Sequence, residues 1–283
     1  MAAGVEAAVA GAVEAGLVAE VASAVLAEVV LEEAAQAAAG KPQHAKSMQA
    51  EKQITEFVDR LKQAAGANLE CVALFGSAAS GEFHAGFSDI NILCVMRELS
   101  APALAALTPA INSWTKNKFP APLIFSRTEF DRSTDVFAIE MLDIRERHRI
   151  LHGEDIFASL HVPMGLHRVQ LEHNLRTKLL TLRQAYIQAA GDEKRVRRLM
   201  LDSISNFGTL FRHTLIAMGE QPASTKAENI KKLAKRVKFD PAIFLKLWQV
   251  RERSAKETEI DAQEGFARYL DGISVVVQAV DAL

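Results

Sequence analysis

The sequence predicts an α+β protein in which a small sheet with helices is followed by an all-α helical bundle. Apolar residues recur with helical spacing after Met48, and short apolar runs bounded by turn residues then alternate with helical segments. After Pro163 the pattern is helical throughout. Strands that alternate with helices are typical of an α/β unit. We therefore divide the 283 residues into an Ala/Glu-rich helical extension (1–47), an α/β domain (48–163) and a helical bundle domain (164–283).

Composition and charge restrict the class of protein. The chain is 49% apolar and 24% charged, as soluble globular proteins are. Range 164–283 carries an excess of basic side chains and range 48–163 an excess of acidic ones. This asymmetry suits an anionic ligand or docking between domains, but it is too mild to predict a nucleic-acid partner. Cys71 and Cys94 lie in apolar runs, so we expect two free buried thiols and a cytoplasmic location.

The first 47 residues favour a helix over a targeting or membrane segment. Leu17, Val21, Val25 and Val29 recur every fourth residue in an alanine-rich context, which predicts an amphipathic helix. The frequent glutamates and the absence of early basic residues argue against a signal peptide and against a membrane span. Two interpretations stay open: a helix that docks or that forms a homo-oligomer, and a helical or poorly ordered extension without such a role.

Strands and helices follow in order from Met48. A helix ends at 66–68, an apolar strand covers 69–76, and a turn with a short helix leads to a second strand at 89–96. The next predictions are a helix over 101–117, a strand over 121–126, a strand or helix over 136–144, and helices over 165–190, 193–219, 224–236, 240–256 and 261–282.

The glycine turn after the first strand is compared with known phosphate-binding motifs. Gly76 and Gly81 have the spacing of a P-loop, but Glu82 and Phe83 stand where its lysine and hydroxyl residue belong. The glycines do not form the GxGxxG pattern of a dinucleotide-binding fold either. What is left is an apolar strand, a Gly-Ser turn, and a second strand that begins with Asp89.

The stretches "ALFGS" and "SDINILCV" resemble the nucleotidyltransferase superfamily, to which DNA polymerase beta and the aminoglycoside nucleotidyltransferases belong. The resemblance covers roughly residues 50–160. It implies a mixed sheet of four or five strands and transfer of a nucleoside monophosphate from a Mg²⁺-bound nucleoside triphosphate to a hydroxyl of a small molecule or protein. It also implies roles for named residues: Gly76 and Ser77 would bind the nucleotide, and Asp89 would be catalytic and bind Mg²⁺.

The chemistry of the reaction explains why this pattern is needed. Mg²⁺ held by carboxylates neutralises charge that develops at the attacked phosphate. Residues two apart on a strand point to the same face, so Asp89 and the residue at position 91 can share a metal ion. Position 91 is Asn, where the family has a second acid, and its neutral oxygen is a weaker ligand.

The family also uses a third acid on a later strand. Glu140 is the first candidate for this catalytic and metal-binding role because it interrupts an apolar run, and Asp143 is the reserve. A structural alternative pairs Glu140 with a nearby arginine, namely Arg145, Arg147 or Arg149.

Three functions remain open at this point. The first is an active nucleotidyltransferase. The second is a relative that binds nucleotide for regulation and whose catalysis is weakened by Asn91. The third is a structural or interaction protein in which Asp89 caps a turn.

Overall fold

The computed structural model describes residues 43–79, 90–189 and 191–283. Its sheet is mixed, with the strand order β3-β2-β1-β4. The central strand β1 pairs antiparallel with β2 and with β4, and β2 pairs parallel with β3. The strands are β1 Leu69–Phe75, β2 Asn91–Met96, β3 Leu123–Ser126 and β4 His148–Gly153. The two strands predicted around the glycine turn are therefore neighbours, as the α+β prediction requires.

Two helices cover one face of the sheet. They are α1 Gln43–Ala65 and α2 Ala101–Thr115. Alternate residues of β1 and β2 pack against them, because successive side chains of a strand point to opposite faces. Phe57 of α1 stacks on Trp114 of α2 with ring centroids 4.5 Å apart. This layer forms one apolar core.

The other face of the sheet is covered by α3 Arg127–Arg132 and α4 Ala138–Glu146. A capping box of Ser126 and Glu129 begins α3. Of the two predictions for residues 136–144, the helix is correct and the strand is wrong. Ala138, Met141 and Leu142 of α4 pack on the sheet, and their spacings of three and four residues bring side chains to one face of a helix rather than of a strand.

The rest of the described chain is helical. Its long central helix, α6, is largely buried, and the Tyr269 hydroxyl lies 3.0 Å from that of Ser203 within the bundle. Ile139 of α4 also belongs to the bundle core, so α4 joins the sheet to the bundle. The helices are α5 His167–Ala189, α6 Glu193–Ala217, α7 Lys226–Val237, α8 Ala242–Arg251 and α9 Ala262–Asp281.

The fold confirms the predicted α+β class, a small mixed sheet with helices followed by a helical region. The division of the chain at residues 47 and 163 stays a prediction. Among the described helices, none combines the length and the apolar character that a membrane span requires.

Candidate functional site

The edge of the sheet where β1 ends and β2 begins is built around one glycine. Phe75 is the last residue of β1 and pairs with Asn91, the first residue of β2. Gly76 follows with φ +74°, and a Cβ atom at this position would lie 3.1 Å from Nδ2 of Asn91. L-residues rarely adopt this backbone conformation, and the contact leaves little room for a side chain. The turn at 76–78 therefore lets the backbone approach the asparagine closely.

The Asn91 side chain has an acceptor without a donor. Its Oδ1 atom is buried and has no hydrogen-bond partner in the described part of the chain. Asn91 lies on the same strand face as Leu93 and Val95, which pack toward α4. A buried polar atom without a partner costs free energy and needs an explanation. A ligand that contacts this edge would supply one.

Asp89 lies outside the described residues, and the side chain of Ser77 is not described. Their predicted roles in metal and nucleotide binding stay predictions. Asp89 comes two residues before Asn91 in the sequence and directly before the buried Ile90. It is therefore close along the chain to the edge of the sheet.

Glu140 lies on the helix α4, whereas the sequence pattern predicts it as an acid on a later strand. Its Oε2 atom accepts a hydrogen bond of 2.8 Å from Nε2 of Gln170 on α5. Burial raises the pKa of the Glu140 carboxyl. The arginines proposed as its alternative partners donate to other groups: Arg145 to the Leu160 carbonyl, Arg147 to the Ser224 carbonyl and Arg149 to Glu51.

Asp143 lies one turn after Glu140 and belongs to a partly buried polar cluster. Arg212 of α6 forms ion pairs with Asp143 and with Glu146. Nε2 of His213 lies 3.0 Å from Oδ1 of Asp143. Burial acts to raise the pKa of Asp143, but the His213 ring and the Arg212 guanidinium outweigh it and hold that pKa below its usual value. We call these four residues the α4–α6 cluster.

A second histidine extends this cluster. Nε2 of His167 lies 3.0 Å from Nδ1 of His213. Since the Asp143 carboxylate can only accept, His213 donates to it through Nε2, and its Nδ1 atom shares a hydrogen bond with Nε2 of His167. Burial lowers the pKa of His167 to about 4, and the neighbouring His213 adds to this effect. The His167 ring is therefore neutral near pH 7 and serves as a hydrogen-bonding group.

The spacing along α4 explains why both candidate acids are turned away from the sheet. Glu140, Asp143 and Glu146 are three residues apart and share one face of α4. Their partners Gln170 and Arg212 belong to α5 and α6, whereas the apolar face of α4 packs on the sheet.

Sequence reasoning did not identify Arg212, His213 and His167. Asp143 is about 70 positions before its partners in the sequence, so no local motif connects them. A weak signal was available on α4 itself, where acids spaced by three on a helical segment predict a polar face.

The start of α7 lies close to the start of β4. Arg147, next to the first residue of β4, donates to the Ser224 carbonyl at 2.7 Å. Thr225 caps α7, and Lys226 is its first residue. Lys226 contributes to holding down the pKa of Asp143. Because His148 of β4 pairs with Phe75 at the end of β1, this helix start lies at the same end of the sheet as the glycine turn.

The donor set is tested against the Mg²⁺ ion that the family uses. No group of three or more His, Cys, Asp or Glu side chains that could hold a metal is present in the described residues. The Oδ1 atom of Asn91, however, is an oxygen without a donor, and Mg²⁺ prefers oxygen ligands and keeps several waters. The described residues therefore supply one neutral oxygen ligand, and the carboxylate of Asp89 as a second ligand stays a prediction.

Comparison with known proteins supports the fold. No family model matches the chain, and no curated protein matches it in sequence. The solved structure of spectinomycin adenyltransferase AAD(9) from Enterococcus faecialis with ATP and spectinomycin is similar over 82% of this chain and 99% of that one, with a TM-score of 0.53 and 14% identity. A structure of a toxin-antitoxin with AMP-PNP matches 47% of this chain and 95% of that one, with a TM-score of 0.26 and 18% identity. The chain has a nucleotidyltransferase-like fold.

Proposed function

We propose that the protein binds a nucleoside triphosphate at the edge formed by the Gly76 turn and Asn91, and that it transfers the nucleoside monophosphate to a hydroxyl acceptor. One observation carries the proposal: the left-handed Gly76 turn lies against an asparagine whose buried Oδ1 atom has no donor among the described residues. In this fold, AAD(9) was solved with ATP and spectinomycin, which supports a nucleotide as the ligand here. The acceptor is a small molecule or a protein.

The residues of the turn would hold the phosphates. The absence of a side chain at Gly76 lets the main chain approach, and the first backbone N–H groups of the turn at 76–78 have no acceptor within it. Such N–H groups bind anions. The Ser77 hydroxyl would add a further donor.

Asp89 and Asn91 would hold Mg²⁺ beside the phosphates. They are two residues apart on the chain, so both side chains would face the same way if the extended backbone of β2 continued back to Asp89. When bound, the ion neutralises negative charge on the attacked phosphate. The two side chains would thereby fix the nucleotide beside the Gly76 turn, and the Oδ1 atom of Asn91 would gain the partner that it lacks.

Glu140 stays our candidate for the third acid and Asp143 the reserve, and both side chains point from α4 toward α5 and α6 rather than toward the sheet. The carboxylate of Asp143 is already neutralised by Arg212 and hydrogen-bonded by His213. The carboxyl of Glu140 is bonded to a neutral amide, that of Gln170, and burial raises its pKa. A raised pKa suits a group that accepts a proton from a hydroxyl near neutral pH.

A second candidate function is nucleotide binding with weakened transfer. Asn91 favours it, since one neutral oxygen replaces a carboxylate of the family pattern. The strand next to β2 favours it as well, because β3 has the sequence LIFS and contributes no acid beside Asn91. Binding and transfer therefore need separate measurements.

Two variants and one control test both candidates. Mg-NTP affinity and pyrophosphate release are measured for wild type, Asp89→Ala, Asn91→Asp and the control Asp59→Ala, which removes an exposed carboxylate of α1 that is ion-paired to Lys62. We expect Asp89→Ala to abolish metal-dependent binding, since it removes the charged metal ligand. Asn91→Asp should tighten Mg²⁺ binding, because two anionic ligands hold the ion better than one. Asp59→Ala should change neither.

The outcomes separate the candidates. Pyrophosphate release by wild type at the rate of Asn91→Asp would show that the asparagine serves transfer, and it would exclude the weakened relative. Release by Asn91→Asp alone would identify the protein as a nucleotide-binding relative. If Asp89→Ala binds Mg-NTP as wild type does, Asp89 is structural and the proposal is wrong.

A further inference from the structure

Helix α5 carries a second apolar stripe on the side that faces solvent. Its members alternate in spacing between three and four residues and begin in the turn just before the helix, and we call them the α5 seam: Leu166, Val169, His173, Arg176, Leu180, Arg183 and Ile187. The four aliphatic members are 52%, 54%, 58% and 73% exposed in chain order. Alternate spacing by three and four is the pattern of a helix that packs along its length against another helix.

The opposite face of α5 already has its partners. Leu171, Leu175, Leu179 and Leu182 are buried in the bundle core. One apolar stripe is enough to pack a surface helix on its domain. The aliphatic residues of the α5 seam are therefore not needed for packing α5 on the bundle. Large aliphatic side chains scattered singly over a surface need no explanation, but four on a single stripe mark an interaction surface.

A groove continues the seam at its C-terminal end. It lies between α5 and α9, has a volume of about 420 Å³, and is lined by Ile187, Arg183 and Leu270 among others. Its wall is a stacked pair, Tyr186 on Phe266, with ring centroids 3.9 Å apart and planes 6° from parallel. A rigid aromatic wall beside exposed aliphatic groups suits an apolar side chain from a docking segment.

The polar positions of the seam indicate the charge of its occupant. They are His173, Arg176 and Arg183. Arg176 is ion-paired to Glu172 and Asp281, whereas Arg183 has no ion pair with any described residue. A second copy of α5 would place these basic residues against each other, and like charges across an interface disfavour association. An acidic, aliphatic segment complements the seam.

The chain contains one such segment before the first described residue, Gln43. Residues 1–42 include six glutamates and a single lysine. Leu17, Val21 and Val25 recur every fourth residue, and Glu14 and Glu28 stand three residues before Leu17 and three after Val25. The segment thus combines an aliphatic stripe with acidic residues, whereas the α5 seam combines aliphatic residues with arginines.

We propose that residues 1–42 dock on the α5 seam of their own chain, with a glutamate of the segment facing Arg183. The residues between Val29 and Gln43 can span up to about 45 Å when extended, so the stripe can reach a surface far from the start of α1. Docking covers the aliphatic side chains of the seam and gives Arg183 an acidic partner. This surface is distinct from the edge at Gly76 and Asn91, so the proposal does not depend on nucleotide binding.

Cysteine pairs in the full-length chain test the docking. One of Leu17, Val21, Val25 or Val29 is changed to Cys together with Leu180→Cys, and the protein is oxidised at low concentration. Matched controls combine the same four changes with Leu104→Cys, since Leu104 is also an exposed leucine, 45% accessible, but lies on α2. The native Cys71 and Cys94 are buried, and burial raises their thiol pKa to about 11 and about 12, so they stay unreactive.

We expect at least one Leu180→Cys pair to form an intramolecular disulfide about tenfold faster or more than its Leu104→Cys counterpart, because docking raises the effective concentration of the thiols. Arg183→Glu added to that pair should slow the reaction, as it places like charges together. Equal rates for the two sets would overturn the proposal. Disulfides that join two chains, or dimers that disappear with Leu180→Ser and Ile187→Ser, would show that a second copy is the occupant and would overturn it as well.

Discussion

Two regions of the molecule concentrate polar groups, and they differ in how completely those groups are satisfied. In the α4–α6 cluster, Asp143 contacts both Arg212 and His213, and His213 in turn bonds to His167. At the sheet edge, the buried Oδ1 atom of Asn91 has no donor among the described residues. Both regions are built from conspicuous polar residues in apolar surroundings. They differ in whether their polar atoms have hydrogen-bond partners within the described protein.

The difference separates structural from functional polarity. A buried network whose members all have partners fixes one arrangement of the helices, and removal of one partner leaves the others with uncompensated charge. A buried acceptor without a donor costs free energy in the protein alone. The presence of such an acceptor is explained if a bound ligand or metal ion contacts it. The α4–α6 cluster should therefore affect stability, and the Asn91 edge should affect ligand binding.

The largest expected effect comes from breaking the α4–α6 cluster. Arg212→Met keeps the length of the side chain and removes its charge, leaving Asp143 and Glu146 without their cation. We expect a loss of about 2 to 4 kcal/mol in the free energy of unfolding, somewhat below the range for a fully buried pair because both carboxylates still reach solvent. Urea unfolding followed by circular dichroism measures it.

The matched control is Arg268→Met on α9. Arg268 forms an exposed ion pair with Glu264 one turn away, so its loss should cost less than about 0.5 kcal/mol. If the two arginines cost the same, the α4–α6 cluster does not stabilise the fold, and the contrast between the two regions fails.

Much of the fold was predictable because it depends on local patterns. The strand over 69–76 is observed as Leu69–Phe75, and the helix over 193–219 as Glu193–Ala217. Both have sharp chemical boundaries, the glycines at 76 and 191. The segment 136–144 was ambiguous because its apolar run fits a buried strand as well as a helix with one face on a sheet.

The candidate site was predictable only in part. The Gly76 turn and its contact with Asn91 lie at the junction of two strands that the sequence delimits, and strand periodicity places position 91 on one face. The surroundings of Glu140 depend on α5, and those of Asp143 on α6, about 70 residues further along the chain. Long-range contacts of this kind leave no periodic signal in a single sequence.

A medium effect, with opposite signs at two positions, is expected from the acids of α4. The pKa of Asp143 is held below its usual value, so its ionised form stabilises the native state above the unfolded pKa, and this contribution is lost as the pH falls through the native pKa. Burial raises the pKa of Glu140. Its ionised form therefore costs stability at neutral pH, and that cost disappears as the pH falls toward the unfolded pKa.

Asp143→Asn should therefore lose about 1 to 2 kcal/mol at pH 7, with the loss shrinking below about pH 4. Glu140→Gln should gain up to about 1 kcal/mol at pH 7, and the gain should shrink on acidification. The measurement is urea unfolding of both variants and wild type between pH 3 and pH 8, with pyrophosphate release assayed in parallel. A gain in stability by Glu140→Gln together with loss of transfer would favour Glu140 as the third acid. A loss of stability at pH 7 would contradict its assignment as a costly buried charge.

The smallest effect on stability is expected at the asparagine of the sheet edge, and a second asparagine provides the comparison. Asn229 is fully buried, accepts a hydrogen bond of 2.7 Å from the Ala223 N–H and donates one of 3.1 Å to the Ala223 carbonyl. Asn229→Ala removes both bonds and should cost about 2 kcal/mol. Asn91→Ala removes an acceptor that has no donor among the described residues, so it should change stability by less than about 1 kcal/mol. The response to Mg-NTP should differ in the opposite way, because a ligand stabilises only the state that binds it. Asn229→Ala should keep the nucleotide-induced increase in thermal unfolding temperature, and Asn91→Ala should lose it. If Asn91→Ala is as destabilising as Asn229→Ala and keeps the shift, Asn91 is a structural residue, and the polar groups of the two regions do not differ in kind.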